Sequence, residues 1–81
     1  MYLHIGKNIV INENDIIAIF NMNYIKNTKM YKNLLEKLSE QKKIINISNG
    51  KEKTLILVDS DNCEKAYITN INSSTIGRRK L

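Results

Sequence analysis

The sequence is poor in the residue types on which secreted scaffolds and membrane proteins depend. Its 81 residues include a single cysteine, Cys63, so a disulfide framework is excluded, and a lone thiol is typical of a reducing compartment. No apolar run approaches the ~20 residues that span a bilayer, and the N-terminal residues lack the unbroken apolar segment of a signal peptide. We therefore expect a cytoplasmic protein with no membrane partner.

Motifs for catalysis and cofactor binding are also missing. The chain contains no GxxxxGK[ST] loop, CxxC pair, HExxH or GxSxG. His4 is the only histidine, and no partners for a triad or a metal site can be assembled around it, so we expect it to be structural. Residues 59–62 resemble the opening of a calcium loop, but no glycine and no closing glutamate follow, so we expect a turn. The sequence therefore predicts no enzyme, no cofactor, no metal and no small-molecule ligand.

Positive charge is concentrated in the second half of the chain. The net charge is +5, and residues 41–81 carry six lysines and two arginines against four acidic residues, whereas residues 1–40 carry five lysines against four. Such an excess is compatible with a nucleic-acid or a membrane-surface partner. The four tyrosines and one phenylalanine do not line one strand, as an RNA-stacking sheet requires. Contact between basic side chains and duplex phosphates is therefore the most economical function.

The apolar pattern predicts one domain over residues 1–81 with an α+β fold, in which one main α-helix packs on a small antiparallel or mixed β-sheet. The core of so short a chain is small, so self-association is a natural source of further buried surface. Short β-branched runs bounded by turn residues predict strands. These runs lie at residues 2–5, 9–11, 16–20, 44–47, 54–58 and 63–71.

The main helix is predicted over residues 28–43, with Asn27 or Thr28 as its N-cap. Its apolar residues form one stripe that we expect to pack on the sheet. An alternative is a recognition helix, but the polar face mixes lysine with glutamate, which argues against insertion into a groove. A second, short helical turn is predicted at residues 76–80. The stripe consists of Met30, Tyr31, Leu34, Leu35 and Leu38.

Residues 44–61 are predicted to form a central hairpin, because Asn49-Gly50 between two apolar runs favours positive φ angles. A two-residue turn pairs Ile47 with Glu52, whereas a four-residue loop pairs Ile47 with Thr54 and matches apolar residues with apolar ones. A one-residue slip would move every side chain to the wrong face, so the pattern favours the longer loop.

That register exposes two lysines. It places Lys51 in the loop and Lys53 at the start of the outgoing strand, where they form either a solvated loop that keeps a sheet edge soluble or a phosphate-contacting surface. Arg78 and Arg79 lie in a basic C-terminal tail, residues 76–81, that we expect to be flexible in isolation.

Four blocks of the sequence resemble a known family. They are MYLHIG at the start, NDIIAIF, SNGKEKT and the closing INSSTIGRR. In their order and spacing they resemble the RemA/RemB family of extracellular-matrix (biofilm) regulatory proteins, and most of all its RemB branch. The resemblance runs from end to end, and the helical middle is matched least.

The resemblance implies a non-enzymatic, DNA-binding transcriptional regulator that assembles into ring-like homo-oligomers. RemA-like chains carry an arginine-rich run after the loop glycine, and Lys51 and Lys53 stand at those positions here. Arg78 and Arg79 match a basic C-terminal feature of RemB-like chains. Lysine lacks the bidentate fork of arginine, and Glu52 would repel phosphate. The alternative is therefore a protein-interaction module, or a modulator of a RemA-like regulator, without DNA binding of its own.

Overall fold

The computed structural model describes residues 2–79, with Arg79 described by its backbone alone. The α+β fold is confirmed, with one main helix and two sheets. In chain order the elements are β1 (Tyr2–Gly6), β2 (Ile9–Asn12), a 3-10 turn (Glu13–Asp15), β3 (Ile16–Asn21), α1 (Met22–Ile25), α2 (Lys29–Glu40), β4 (Ile44–Asn46), β5 (Thr54–Ser60), β6 (Cys63–Thr69) and α3 (Ser73–Arg79).

The strands form an antiparallel β1-β2 hairpin and a four-stranded mixed sheet with the order β3-β5-β6-β4. β4 runs parallel to β6, while β5 pairs antiparallel with both β3 and β6. Asp61 and Asn62 join β5 to β6 with φ angles of 53° and 63°. Two positive φ angles in a two-residue connection match the twist of the flanking strands. The turn predicted at residues 59–62 is therefore present, and it closes the hairpin at the centre of the fold.

The hairpin predicted between residues 44–47 and 54–58 is wrong, because β6 lies between the two segments. The amide of Ile47 donates to the carbonyl of Ile68 at 2.8 Å. On the other side of the loop, the amide of Lys53 donates to the carbonyl of Thr69 at 3.0 Å. The predicted register, with Ile47 opposite Thr54, does not occur.

The local turn inside that segment was predicted correctly. Asn49 and Gly50 have φ angles of 56° and 85°. The turn carries the chain past the end of β6 instead of back onto β4. β6 takes the central place because it offers apolar partners on both sides, with Ala66 opposite Ile44 of β4 and Leu57 of β5.

The four-stranded sheet is buried on both faces, which explains the continuous apolar run of β5. Leu55 points to one face and Ile56 to the other, as the alternation along a strand requires. On the first face the sheet packs against the β1-β2 hairpin and α3, through Leu3, Ile5, Ile11, Ile47, Ile56, Val58 and Ile76. On the second face it packs against α1 and α2, through Met22, Ile25, Tyr31, Leu38, Leu55, Ala66 and Ile68.

Helix α2 begins as predicted and ends three residues early. Thr28 is the N-cap, and its hydroxyl accepts a hydrogen bond from the amide of Tyr31 at 3.2 Å. At the other end Lys42 adopts a φ of 56°, and the amide of Lys43 donates to the carbonyl of Leu38 at 2.9 Å. This is a Schellman motif, with lysine at the position that glycine usually occupies.

The apolar stripe of α2 packs on the sheet as predicted, except at its first residue. Tyr31 and Leu38 are buried, whereas Met30 keeps 50% of its surface exposed. Because this stripe faces Leu55 and Ile68 of the sheet, α2 is a packing helix. The short terminal helix predicted at residues 76–80 is present as α3, but it begins three residues earlier, at Ser73. Residues 80 and 81 lie outside the described residues.

Candidate nucleic-acid interface

The two lysines predicted as phosphate contacts lie together on one polar cleft of about 620 Å³. Both side chains are exposed. We call this surface the loop cleft, and it lies between the 50–53 loop, the junction of β3 with α1, and the start of α3. Its lining residues are Asn21, Asn23, Gly50, Lys51, Glu52, Lys53, Asn72, Ser73 and Ser74.

The backbone of the loop is fixed on both sides. The amide of Lys53 donates to Thr69, and its carbonyl accepts from the amide of Met22 at 2.9 Å. The amide of Lys51 donates to the carbonyl of Ser48 at 3.1 Å. A fixed backbone that carries long flexible ammonium side chains suits contact with phosphates, because the charge is localised while its exact position adapts.

The side of the cleft formed by α3 is tied to the sheet by buried hydroxyl groups. The Thr54 hydroxyl donates to the carbonyl of Ile71 at 2.6 Å and lies 2.9 Å from the hydroxyl of Ser73. Nearby, the Thr69 hydroxyl donates to the carbonyl of Ile5 at 2.6 Å. Thr54 and Thr69 have no exposed surface, so these bonds hold the start of α3 and the end of β1 in place.

Glu52, between the two lysines, is held by a neighbouring side chain. One of its carboxylate oxygens accepts a hydrogen bond from the Asn46 side-chain amide at 2.9 Å. The Asn46 carbonyl oxygen in turn accepts from the amide and the hydroxyl of Ser48, at 3.0 and 2.6 Å. Ser48 therefore orients Asn46, and Asn46 draws the carboxylate of Glu52 toward the β4 edge of the sheet.

The same carboxylate acts on Tyr31 of α2. Burial raises the pKa of the Tyr31 phenol above its ordinary value of 10.0, and the negative charge of Glu52 raises the pKa further. Both effects disfavour the phenolate. The negative charge of Glu52 therefore affects Tyr31 of α2 as well as the loop cleft that Glu52 lines.

The raised pKa of Tyr31 predicts a loss of stability at high pH. The folded state keeps the proton that the unfolded chain releases near pH 10, so this contribution is complete below pH 10.0 and is lost as the pH rises through the raised pKa. In urea unfolding between about pH 9 and pH 11, we expect Tyr31→Phe to lose less stability than the unsubstituted protein. Tyr24→Phe, at a side chain that is 81% exposed, is the matched control and should behave like the unsubstituted protein. Equal losses of stability in all three proteins would contradict the raised pKa of Tyr31.

The structure does not bring Arg78 into the loop cleft. Arg78 is exposed on α3, and its guanidinium donates to the Thr75 hydroxyl at 3.4 Å. Arg79 is the last residue of the helix, and its side chain lies outside the described part of the chain. Of the three predicted contacts whose side chains are described, the cleft therefore contains Lys51 and Lys53 but not Arg78.

Sequence reasoning missed the polar residues that complete the cleft. Asn21 is the N-cap of α1, and its side chain accepts from the amide of Asn23 at 2.9 Å. The α1 turn was not predicted, although an asparagine after an apolar strand is a signal for such a cap. Ser73 and Ser74 lie in the first turn of α3, before the helical turn predicted at residues 76–80.

Within residues 2–79, no group of three or more histidine, cysteine, aspartate or glutamate side chains is placed to hold a metal ion. None of the helices in this range has the length and apolar character needed to cross a membrane. His4 is exposed, and Cys63 is a partly buried free thiol.

Comparison with curated proteins finds no match to the sequence. The model of the RemA-like family, described as extracellular matrix regulatory protein A-like, matches residues 2–79. That range includes nearly all of the four blocks on which the resemblance was based. The chain therefore belongs to the RemA-like family of extracellular matrix regulatory proteins.

Proposed function

We propose that this protein is a cytoplasmic, non-enzymatic transcriptional regulator of the RemB branch that binds duplex DNA as a homo-oligomer. The observation that carries the proposal is the loop cleft, where Lys51 and Lys53 project from a fixed backbone. The hydrogen bond from Asn46 to Glu52 supports it, because it draws the intervening negative charge toward the sheet edge. Membership of a regulator family agrees with this use of the cleft.

The chemistry of the cleft favours phosphates over base edges. A lysine ammonium group is a compact charge without a bidentate fork, so it positions the DNA backbone and carries little sequence information. The longest helix, α2, packs its apolar stripe on the sheet instead of presenting a free recognition face. We therefore propose sequence-tolerant binding.

Oligomerisation supplies the affinity that one loop lacks. Two lysines on one protomer make few contacts, but repeated copies on one assembly bind the same duplex with a high effective concentration. Arg78 and Arg79, on α3, would add further contacts. A ring is the arrangement that the family resemblance implies.

A second candidate is a modulator of a RemA-like regulator without DNA binding of its own. Glu52 favours it, since this residue lines the loop cleft together with the two lysines and its carboxylate is held in place by Asn46. In this case the loop cleft would recognise a protein surface with charges of both signs.

One experiment separates the two candidates. Fluorescence anisotropy with a labelled duplex at low salt, combined with native mass measurement, should detect an oligomer that binds DNA. A protein that leaves the anisotropy unchanged but co-purifies with a stoichiometric RemA-like partner would support the modulator and contradict DNA binding.

Removal of the Glu52 charge should strengthen DNA binding. Glu52→Gln removes the repulsion between the carboxylate and a bound phosphate. For a phosphate about 7 Å from the carboxylate in water, this corresponds to an increase in affinity of about threefold at low salt. Glu40→Gln, an exposed position outside the loop cleft, removes the same charge and serves as the control. Anisotropy titrations of both variants measure the difference. Equal or weaker binding by Glu52→Gln would mean that Glu52 does not oppose the phosphate.

A further inference from the structure

A second concave basic surface lies at the junction of α1 and α2. It has a volume of about 520 Å³, and all six of its lining residues are exposed. We call it the helix cleft. Its lining residues are Lys26, Asn27, Thr28, Lys29, Lys32 and Asn33.

The three lysines of the helix cleft carry uncompensated charge. No acidic residue lines the cleft, and the first turn of α2 contains none. Within residues 2–79, none of the three is in an ion pair, whereas Lys37, further along the same helix, lies 3.8 Å from Glu64. Lys29 and Lys32, near the start of α2, also oppose its dipole, so helix stability does not account for the placement of these two lysines.

The two clefts are neighbours along α1. Asn23 lines the loop cleft, and Lys26 lines the helix cleft. Lys26 continues the helical geometry of α1, with φ −59° and ψ −24°. Residues three apart on a helix lie on the same side, with Cβ atoms roughly 5–6 Å apart. The amide of Met22, at the start of α1, donates a hydrogen bond to the carbonyl of Lys53, so α1 is attached directly to the loop of the first cleft.

We propose that the phosphate backbone of a duplex bound at the loop cleft continues along α1 into the helix cleft, where Lys26, Lys29 and Lys32 contact successive phosphates. This inference rests on the proposed function. One strand of B-DNA presents a phosphate about every 3.4 Å along its axis, so a strand that spans both clefts presents several to these side chains. The side-chain amides of Asn27 and Asn33 supply neutral donors to the same backbone.

A matched pair of triple variants tests the inference. Lys26→Gln, Lys29→Gln and Lys32→Gln together remove the charge of the helix cleft. The control variant removes the same charge at three exposed lysines that line neither cleft. These are Lys7, Lys37 and Lys42. Glutamine has nearly the helix propensity of lysine, so both proteins should fold, and urea midpoints verify this.

The readout is the slope of the logarithm of duplex affinity against the logarithm of salt concentration. We expect the helix-cleft variant to lose about 0.9 from the slope magnitude for each lysine–phosphate contact removed, or about 5 in total for three lysines on each of two protomers, and to bind unrelated duplexes equally weakly. The control variant should keep most of the original slope. A helix-cleft variant that matches the control overturns the inference, and it leaves the proposed function intact if Lys51→Glu with Lys53→Glu still abolishes binding.

Two further outcomes are informative. If the helix-cleft variant loses the slope while substitution of Lys51 and Lys53 has no effect, the duplex does not pass through the loop cleft, and both the continuous path and the role of the loop cleft in the proposed function are contradicted. If the unsubstituted protein fails to bind a duplex at low salt, the inference falls together with the proposed function.

Discussion

Lys51→Glu combined with Lys53→Glu is expected to abolish duplex binding, with a loss of affinity of at least about 100-fold at roughly 50 mM salt. Each substitution removes one attractive contact and creates a repulsive one. Together with Glu52 they would place three consecutive carboxylates on the loop cleft. Because the contacts are to phosphates, the loss should be similar on unrelated sequences.

The control for this experiment is Lys7→Glu with Lys42→Glu, which changes the net charge by the same amount at exposed positions outside the loop cleft. We expect the affinity of this variant for the duplex to fall by less than about tenfold, since distant surface charges are screened by salt. Equal losses in the two variants would show that binding follows net charge alone. The loop cleft would then have no special part in DNA recognition.

Ile76→Ala is expected to lower the free energy of unfolding by about 2–5 kcal/mol. Ile76 has no exposed surface and is the contribution of α3 to the first core, where it packs with residues such as Leu3 and Ile5. Small domains are stable by only about 5–15 kcal/mol, so this one cavity removes a large part of the total. Since α3 forms one side of the loop cleft, the variant should also bind DNA less well.

Urea unfolding measures the effect, with Ile17→Ala as the matched control. Ile17 lies on β3 with 52% of its surface exposed, so its truncation should cost less than about 1 kcal/mol. A loss below about 1 kcal/mol for Ile76→Ala would mean that α3 contributes little to the core. The side of the cleft formed by Ser73 and Ser74 would then be mobile.

Features of the fold could be predicted from the sequence where they depend on residues close together in the chain. Features that depend on contacts between distant segments could not. The helix, the strands and the α+β class depend on local periodicity, so they could be predicted from the sequence. Strand pairing depends on competition between distant segments. Asn49-Gly50 indicates a turn with positive φ, and both residues adopt one. The dipeptide carries no information on whether β6, which begins at Cys63, will insert between the strands that flank it.

The candidate site likewise has features that the sequence predicts and features that it does not. Exposure of Lys51 and Lys53 could be predicted, because a charged residue after an Asn-Gly turn lies on the surface whichever strand is its neighbour. The bond from Asn46 to Glu52 and the placement of Asn23 beside the loop depend on how elements far apart in the chain pack together. Only the three-dimensional fold shows them, and they change the expected effect of Glu52 on a bound phosphate.

The most direct test of the central claim, contact between lysines and duplex phosphates in an oligomer, is the salt dependence of binding by the unsubstituted protein. Two lysines on each of at least two protomers predict that log affinity falls linearly with log salt, with a slope of about −3.5 or steeper on unrelated duplexes. Native mass measurement of the same sample should give a complex that contains several copies of the chain. An oligomer whose affinity for DNA does not fall with salt, or one that fails to bind at low salt, would contradict the claim.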